Sequence, residues 1–185
     1  MRHIPGPLSS ADYKGNLKDH TLAVRLYAVD APETAKLGNP GQPFGDTATK
    51  FVESKLLNKN ITLKLLAKDR YGRALAVASY TENGLPFNKG KVMDISEELV
   101  KNGLAVVYRQ GGAQYNGGIA RWNALEDAAK KKKIGLWSQS AKSLQLPSDY
   151  KKKIAGGNEK DDKSTLKPSK RGIRRYAEAS VSVGN

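Results

Sequence analysis

The sequence contains no cysteine, and this absence excludes several kinds of site. Without thiols the chain has no disulfide framework, no thiol nucleophile, and no zinc or iron–sulfur centre built on thiolates. Histidine is also scarce: His3 and His20 are the only two, and their spacing is not that of metal ligands, so we interpret both as solvent-facing. Because a chain without cysteine suits oxidising and reducing compartments alike, the location stays unknown.

Long apolar runs are missing as well. No stretch approaches the roughly 18 consecutive apolar residues of a membrane-spanning helix, and the N-terminus lacks the charged-then-apolar pattern of a signal peptide. We found no internal repeat. With 185 residues, 38% of them hydrophobic, the chain has apolar material for one domain but little room for two. We therefore expect one core, no membrane span in this chain and a monomer.

Positive charge is abundant. The chain has 32 Lys and Arg against 18 Asp and Glu, a net charge of +14, and a pI of about 9.9. Residues 147–185 hold ten of the basic and five of the acidic residues, so the remaining +9 lies on residues 1–146. Such a basic body predicts a polyanionic partner, since Lys and Arg that neutralise phosphates release counterions. The alternative is that the charge serves solubility alone.

The composition changes near residue 147. Few large apolar residues and no sustained periodicity follow, so we predict a domain over 1–146 and a basic tail over 147–185 that is mostly disordered beyond about residue 155. The lysine runs at 130–133 and 151–153 are interpreted as a solvated helix end and tail, with nonspecific phosphate binding as the alternative.

Apolar periodicity predicts strands and helices in alternation. The predicted strands are 20–29, 61–66, 74–80 and 104–108, and the predicted helices are 44–57, 95–102 and 119–133. The second and third strands form a hairpin around the turn at 69–72. Strands first, with helices interleaved late, favour an α+β fold in which a small antiparallel barrel carries helices.

Two carboxylates follow the first predicted strand. Arg25 lies within this strand, Asp30 and Glu33 lie just past its end, and Pro32 fixes the backbone between them. Such a turn suits a hard divalent cation, together with a carboxylate that orients or deprotonates a water molecule. The alternative is an ordinary strand end with Glu33 in solvent.

A second motif lies in the hairpin turn, with the sequence Asp69-Arg70-Tyr71-Gly72-Arg73. Arginine pairs bidentately with phosphate oxygens, and two guanidinium groups around a phosphate would neutralise the charge of a pentacoordinate transition state. Arg25 and Arg73 are therefore a candidate pair. The alternative is a basic, solvated turn.

The ordered motifs resemble the thermonuclease, or staphylococcal-nuclease-like, family from about His20 to Ser138. The matches are Arg25-x4-Asp30-x-Pro32-Glu33, Asp69-x-Tyr71-Gly72-Arg73, Leu99-Val100-x2-Gly103-Leu104-Ala105 and Ala128-x4-Lys133-x-Gly135-x-Trp137-Ser138. Further features are similar to fungal mitochondrial-type endonucleases of the family: Gly41-Gln42-Pro43-Phe44, Tyr108, the glycine-rich loop 111–118, the lysines 130–133 and Pro147-x2-Tyr150.

The resemblance implies a five-stranded oligonucleotide-binding (OB-fold) barrel with three helices and calcium-dependent cleavage of phosphodiesters in DNA and RNA. It implies that Asp30 and the carbonyl of Ala31 bind calcium, that Glu33 orients or deprotonates the attacking water, that Arg25 holds the phosphate, and that Arg73 stabilises charge on the phosphate and leaving oxygen.

The resemblance also implies a nucleic-acid contact surface, made of Arg70, Tyr71 and Tyr108. A second tyrosine that the family often has two residues after Tyr108 is Gln110 here. The fungal relatives suggest a mitochondrial, membrane-tethered protein, which the chain itself does not address.

One family feature is missing. The Asp-Gly-Asp that supplies a further calcium carboxylate upstream of Arg25 does not occur, and residues 1–4 would begin inside that first strand. We expect a truncated first strand in a piece of a longer protein, and the alternative is the loss of a metal ligand. In both cases the missing carboxylate predicts weak calcium binding and impaired hydrolysis by this chain. The rival function is a noncatalytic nucleic-acid-binding module. Retention of Asp30 and Glu33 among phosphate-seeking arginines favours the nuclease, because carboxylates repel a bound polyanion.

Overall fold

The structure, a computed structural model, describes residues 21–35, 40–82 and 90–157. In chain order the elements are β1 (Val24–Leu26), β2 (Val29–Asp30), α1 (Gly45–Leu56), β3 (Ile61–Lys68), β4 (Ala74–Glu82), β5 (Lys91–Asp94), α2 (Ile95–Lys101), β6 (Val106–Val107), α3 (Ile119–Lys132), a short 3-10 helix (Gly135–Ser138) and α4 (Pro147–Gly157). None of the helices within these ranges is long and apolar enough to cross a membrane.

Strand β4 organises the main sheet. It pairs antiparallel with β3 and β5 and parallel with β1, while β2 and β6 form a separate two-stranded antiparallel sheet. The α+β class and the β3–β4 hairpin predicted from the sequence are confirmed. The predicted barrel with three helices is not what the described ranges contain: they hold two separate sheets, no closed barrel and four α-helices. The strand expected at residues 1–4 lies outside them.

The first predicted strand, 20–29, is interrupted. It divides into β1 and β2 because Ala28 adopts a left-handed backbone conformation with φ 57°. This conformation ends the alternation of strand side chains, so that Tyr27, Ala28 and Val29 are all buried in succession. The bend carries the chain from the main sheet to the second sheet and sets the direction in which Asp30 leaves it.

The core is centred on Trp122 of α3. Its ring and that of Tyr27 meet edge to face, with centroids 5.2 Å apart, among Leu99, Val100 and Val107. The residues Asp94-Ile95-Ser96-Glu97 have the pattern of a helix N-terminal cap, and the structure confirms the cap of α2, where the backbone N–H of Ser96 donates to Asp94 Oδ1 at 2.9 Å. The core thus ties α2 and α3 to the strand that precedes the two carboxylates.

Glycine ends helix α2. Gly103 has φ +63°, and a Cβ there would lie 2.3 Å from the carbonyl oxygen of Ile134, so both its conformation and its surroundings require glycine. The predicted helix end is confirmed. The same close approach joins the end of α2 to the chain just after α3.

The predicted buried stripe of α3 is partly wrong. The helical spacing of Ile119, Trp122, Leu125 and Ala129 predicts that these four residues form the stripe. Trp122 and Ala129 are buried, but Ile119 is 39% exposed, and Glu126, which is not part of the predicted stripe, is 2% exposed. The helix is rotated so that a carboxylate occupies a core position, which is tolerated because Glu126 is hydrogen-bonded there.

The first residues of the predicted basic tail form helix α4 and pack on the domain. Pro147 and Tyr150 of α4 are buried, and the Tyr150 hydroxyl donates to the carbonyl oxygen of Pro40. The side-chain amide of Gln42 also donates to the carbonyl oxygen of Gln145 at 3.0 Å. These two hydrogen bonds hold the segment on the domain. Because the segment has no apolar periodicity, its sequence did not predict this packing. The expected disorder after about residue 155 concerns residues largely outside the described ranges.

Candidate active site

Asp30 and Glu33 converge on one cation. Lys151 Nζ of α4 lies 2.6 Å from Asp30 Oδ1 and 3.3 Å from Glu33 Oε1. Asp30 ends β2, and buried Pro32 separates it from Glu33. The structure therefore brings the two predicted carboxylates together, and it adds a lysine that the sequence analysis had placed in a solvated run.

Burial and the neighbouring carboxylates have opposite effects on the charge of Lys151. Burial would lower the pKa of its amine, but the Asp30 carboxylate, followed by that of Glu33, outweighs burial and raises the pKa above the ordinary value for lysine. The ammonium is therefore charged at neutral pH. No sequence pattern could have identified it, since Lys151 lies 121 residues from Asp30.

The backbone of Glu33 is held by Gln42. The N–H of Gln42 donates to the carbonyl oxygen of Glu33 at 2.8 Å, and the N–H of Glu33 donates to the Gln42 side-chain oxygen at 3.0 Å. Gln42 is 5% exposed. Gly45 packs closely on the same peptide, because a Cβ at this position would lie 2.5 Å from the Glu33 carbonyl oxygen. The Glu33 main chain is therefore fixed.

Arg25 stacks on Tyr108. The guanidinium carbon lies 4.4 Å from the ring centroid, and the N–H of Tyr108 donates to the carbonyl oxygen of Ala28 at 2.8 Å. No ion pair of Arg25 occurs among the residues that the structure describes. The aromatic face orients the guanidinium without occupying its N–H groups.

Arg73 is oriented by Asp69. Its Nε donates to Asp69 Oδ2 at 2.7 Å, while the backbone N–H groups of Tyr71 and Arg73 both donate to Asp69 Oδ1 at 2.9 Å. Burial would raise the pKa of Asp69, but the hydrogen bonds from Arg73 and Tyr71 outweigh it and lower that pKa. The charged carboxylate thus holds both the turn and the inner nitrogen of the guanidinium.

Arg25 and Arg73 lie on the same side of the main sheet. Arg25 pairs with Leu75 in the parallel register of β1 and β4. Arg73 precedes Leu75 by two residues, and side chains two positions apart on an extended chain share a face. The N–H of Ala74 also donates to the carbonyl oxygen of Ala23 at 2.8 Å, which ties the two segments at this point.

Tyr71 is an exposed aromatic residue between cations. The residue is 51% exposed. The guanidinium carbons of Arg70 and Arg73 lie 4.9 and 5.6 Å from its ring centroid. Exposed aromatic faces beside arginines are suited to stacking with nucleobases.

Sequence reasoning missed the buried carboxylate of Glu126. It accepts hydrogen bonds from the backbone N–H of Val107, from Arg109 Nη2 and from Lys130 Nζ, each at 2.8 Å. Burial would raise its pKa, but Arg109 and Lys130 outweigh burial and lower it. Since Val107 and Arg109 flank Tyr108, this network fixes the strand that carries the ring under Arg25. The sequence signal for its burial was that Glu126 lies one helical turn after Trp122, on the same face of α3.

The donors at the carboxylate pair suit a hard divalent cation. Asp30, Glu33 and the carbonyl of Ala31 offer oxygens, the ligands that calcium prefers. The ammonium of Lys151 between the carboxylates acts as a stand-in cation and indicates that the site attracts positive charge. Within the described ranges no group of three or more His, Cys, Asp or Glu residues could hold a metal, so these ranges supply two carboxylates.

Known proteins are similar to this chain in sequence. The chain is 39% identical over 152 residues to endonuclease Htp3 of Saprolegnia parasitica, covering 82% of this chain and 68% of the relative. It is 41% identical over 140 residues to probable endonuclease LCL3 of Yarrowia lipolytica, covering 75% and 59%. It is 32% identical over 161 residues to the same-named protein of Schizophyllum commune, covering 84% and 55%. The chain thus spans little more than half of the latter two relatives.

The family described as "Staphylococcal nuclease homologue" matches residues 23–139, a range that includes Arg25, the carboxylate pair, the hairpin turn and Tyr108. This match covers more than half of the chain and agrees with the resemblance of the sequence motifs. The chain belongs to the staphylococcal nuclease homologue family.

Proposed function

We propose that the protein is a calcium-dependent nuclease that hydrolyses phosphodiester bonds within strands of DNA, of RNA or of both. The observation that carries this proposal is the convergence of Asp30 and Glu33 on one cation, at the end of the strand segment whose Arg25 shares a sheet face with Arg73. Relatives named endonucleases support it.

The metal would be held by Asp30 and the carbonyl of Ala31. Bound calcium would supply positive charge that polarises a phosphodiester and lowers the pKa of a coordinated water. The remaining ligands would be waters or residues outside the described ranges, since calcium takes about six to eight oxygens.

Glu33 would orient the attacking water and accept its proton. General-base catalysis requires a carboxylate held within hydrogen-bonding reach of the water. The two backbone hydrogen bonds to Gln42 meet the first part of this requirement, because they fix the main chain from which the Glu33 side chain extends.

The two arginines would bind the phosphate. Arg25 is oriented by the face of Tyr108, and Arg73 is oriented through Nε by Asp69. Both contacts leave terminal nitrogens for phosphate oxygens, where preorganised donors stabilise the charge of the transition state. Tyr108 would contribute by positioning Arg25 and by contacting the nucleic acid beside it.

Arg70 and Tyr71 would contact the neighbouring nucleotide. Stacking on Tyr71 tolerates any base, because every base has a π-face. We propose accordingly that binding shows little sequence preference and that the strands around the site serve as an OB-type binding surface.

The test is hydrolysis of a labelled oligonucleotide across a calcium titration, with wild type and Glu33→Gln. We expect calcium-dependent internal cleavage by the wild type and a loss of about 100-fold or more in the variant, the size typical of a general base. A matched control is Glu53→Gln, an exposed glutamate of α1, with unchanged activity expected. Salt-sensitive binding by wild type without cleavage at any calcium concentration would favour the noncatalytic binding module.

A further inference from the structure

We propose that Lys151 is a further residue of the active site: its ammonium holds the Asp30–Glu33 pair when no metal is bound and competes with the metal for these carboxylates. The inference rests on the proposed function, since it concerns the same pair. It assigns to the C-terminal helix a direct effect on metal affinity.

Lys151 differs from its neighbours in the same lysine run. Its side chain is 38% exposed and contacts carboxylates that are 15% and 25% exposed. The side chain of Lys152, by contrast, is 80% exposed and lies 4.0 Å from Asp149. Ion pairs on an open surface contribute little, whereas a partly buried pair is screened less by water and salt. Of the two lysines, only Lys151 is therefore expected to influence metal binding by the Asp30–Glu33 pair.

The position of Lys151 is fixed by the chain just before it. The adjacent Tyr150 is 8% exposed and its hydroxyl donates to the carbonyl oxygen of Pro40. The side-chain amide nitrogen of Gln42 donates to the carbonyl oxygen of Gln145 at 3.0 Å. The oxygen of the same amide accepts from the N–H of Glu33 at 3.0 Å. Helix α4 and Glu33 thus share one anchor, which aligns the ammonium with the carboxylates.

Competition follows from this geometry. A cation bound by Asp30 must displace the ammonium from the carboxylate, or bind beside it through either carboxylate oxygen against the repulsion of like charges. When the binding-competent arrangement is only partly populated, the apparent affinity falls by that fraction. Removing Lys151 abolishes the competitor and leaves two carboxylates without a counter-charge, so calcium is bound more tightly while the metal-free protein loses stability.

The experiment compares wild type, Lys151→Met and Lys152→Met. Calorimetry measures the dissociation constant of calcium, and thermal unfolding is followed with and without calcium. We expect Lys151→Met to bind calcium about tenfold more tightly, within the usual range of coupling between two sites, and to gain more thermal stability on adding calcium than wild type does. Lys152→Met removes the same charge from the same helix and should match wild type in both measurements.

A second neutral variant keeps the inference testable if Lys151→Met folds poorly: Lys151→Gln, which has a polar uncharged side chain, should also bind calcium more tightly than wild type, and wild-type affinity in it would overturn the inference. The charge-retaining Lys151→Arg should bind calcium as weakly as wild type. The inference is overturned if Lys151→Met binds calcium no more tightly than wild type, if it shows no calcium binding, or if Lys152→Met gains as much affinity as Lys151→Met.

Oligonucleotide hydrolysis by the same preparations separates the two proposals. Tighter calcium binding by Lys151→Met without hydrolysis by any preparation contradicts the proposed nuclease and upholds the competition. Calcium-dependent hydrolysis by wild type with equal calcium affinities contradicts the competition and upholds the nuclease.

Discussion

The guanidinium of Arg25 rests on the ring of Tyr108, 4.4 Å from its centroid, so the aromatic residue sets the direction of a candidate phosphate ligand. Tyr108 is itself fixed from both sides: its N–H donates to Ala28, and its carbonyl oxygen accepts from the Tyr115 hydroxyl at 2.5 Å. This contact contributes by orienting the guanidinium of Arg25.

We predict that Tyr108→Leu lowers kcat/KM for oligonucleotide hydrolysis by about fivefold, since cation–π contacts at partly exposed sites contribute about 1 kcal/mol. Tyr108→Phe retains the ring face and should remain close to wild type. Equal losses in both variants would assign the effect to the hydroxyl instead of the stack.

Arg73→Lys should reduce the rate of hydrolysis by about 100- to 1,000-fold, the usual cost of losing one preorganised transition-state donor. Lysine keeps the charge but cannot both bond Asp69 and offer a planar pair of donors. Steady-state kinetics measure the loss, and circular dichroism checks the fold. Arg121→Lys is the control, an exposed arginine paired with Glu97. Near-wild-type turnover of Arg73→Lys would return Arg73 to the solvated-turn interpretation.

Gln42→Leu should lower kcat by about tenfold or more with little change in KM. The variant removes the hydrogen bond to the Glu33 N–H and leaves the phosphate-binding arginines in place. Misplacing a reacting group by about 1 Å lowers the rate by up to about 100-fold. Gln139→Leu makes the same chemical change where the side chain donates only to Leu136, and it should leave kcat unaltered. A matching rise in KM without a fall in kcat would contradict a positioning role.

Glu126→Gln should be less stable than wild type at neutral pH. Folding lowers the pKa of the Glu126 carboxyl. The ionised carboxylate therefore stabilises the folded protein above its unfolded-state pKa of about 4.3. This stabilisation is lost as the pH falls through the lower folded-state pKa. The difference in unfolding free energy between the two proteins should therefore shrink on acidification below about pH 4. Denaturant unfolding across pH measures it, and a difference that is constant with pH would contradict the charged state assigned to Glu126.

Local patterns predicted those parts of the site that local geometry determines. Asp69 to Arg73 lie within one hairpin turn, and the turn chemistry of this segment is visible in five consecutive residues. The helix boundaries at Asp94 and Gly103 likewise depend on caps a few residues away, so they were predicted correctly.

Features that depend on tertiary contacts were not predictable in this way. The left-handed conformation of Ala28 has no propensity signal, since alanine favours right-handed backbone. Glu126 enters the core because Val107 and Arg109, from a different segment, donate to it there, together with Lys130 one turn along the same helix. The contact of Lys151 with Asp30 depends on the docking of α4, which two polar anchors hold with no apolar stripe.

The sequence separation across the carboxylate site also bears on how the protein folds. Asp30 and Lys151 are 121 residues apart, whereas β3 and β4 are joined by a tight turn. The entropy lost on closing a loop rises with its length, so contacts between neighbours form first and distant ones later. During synthesis from the N-terminus, Asp30 and Glu33 emerge well before their lysine, and the nascent chain carries the pair without its internal counter-charge until almost all of the described domain has been made.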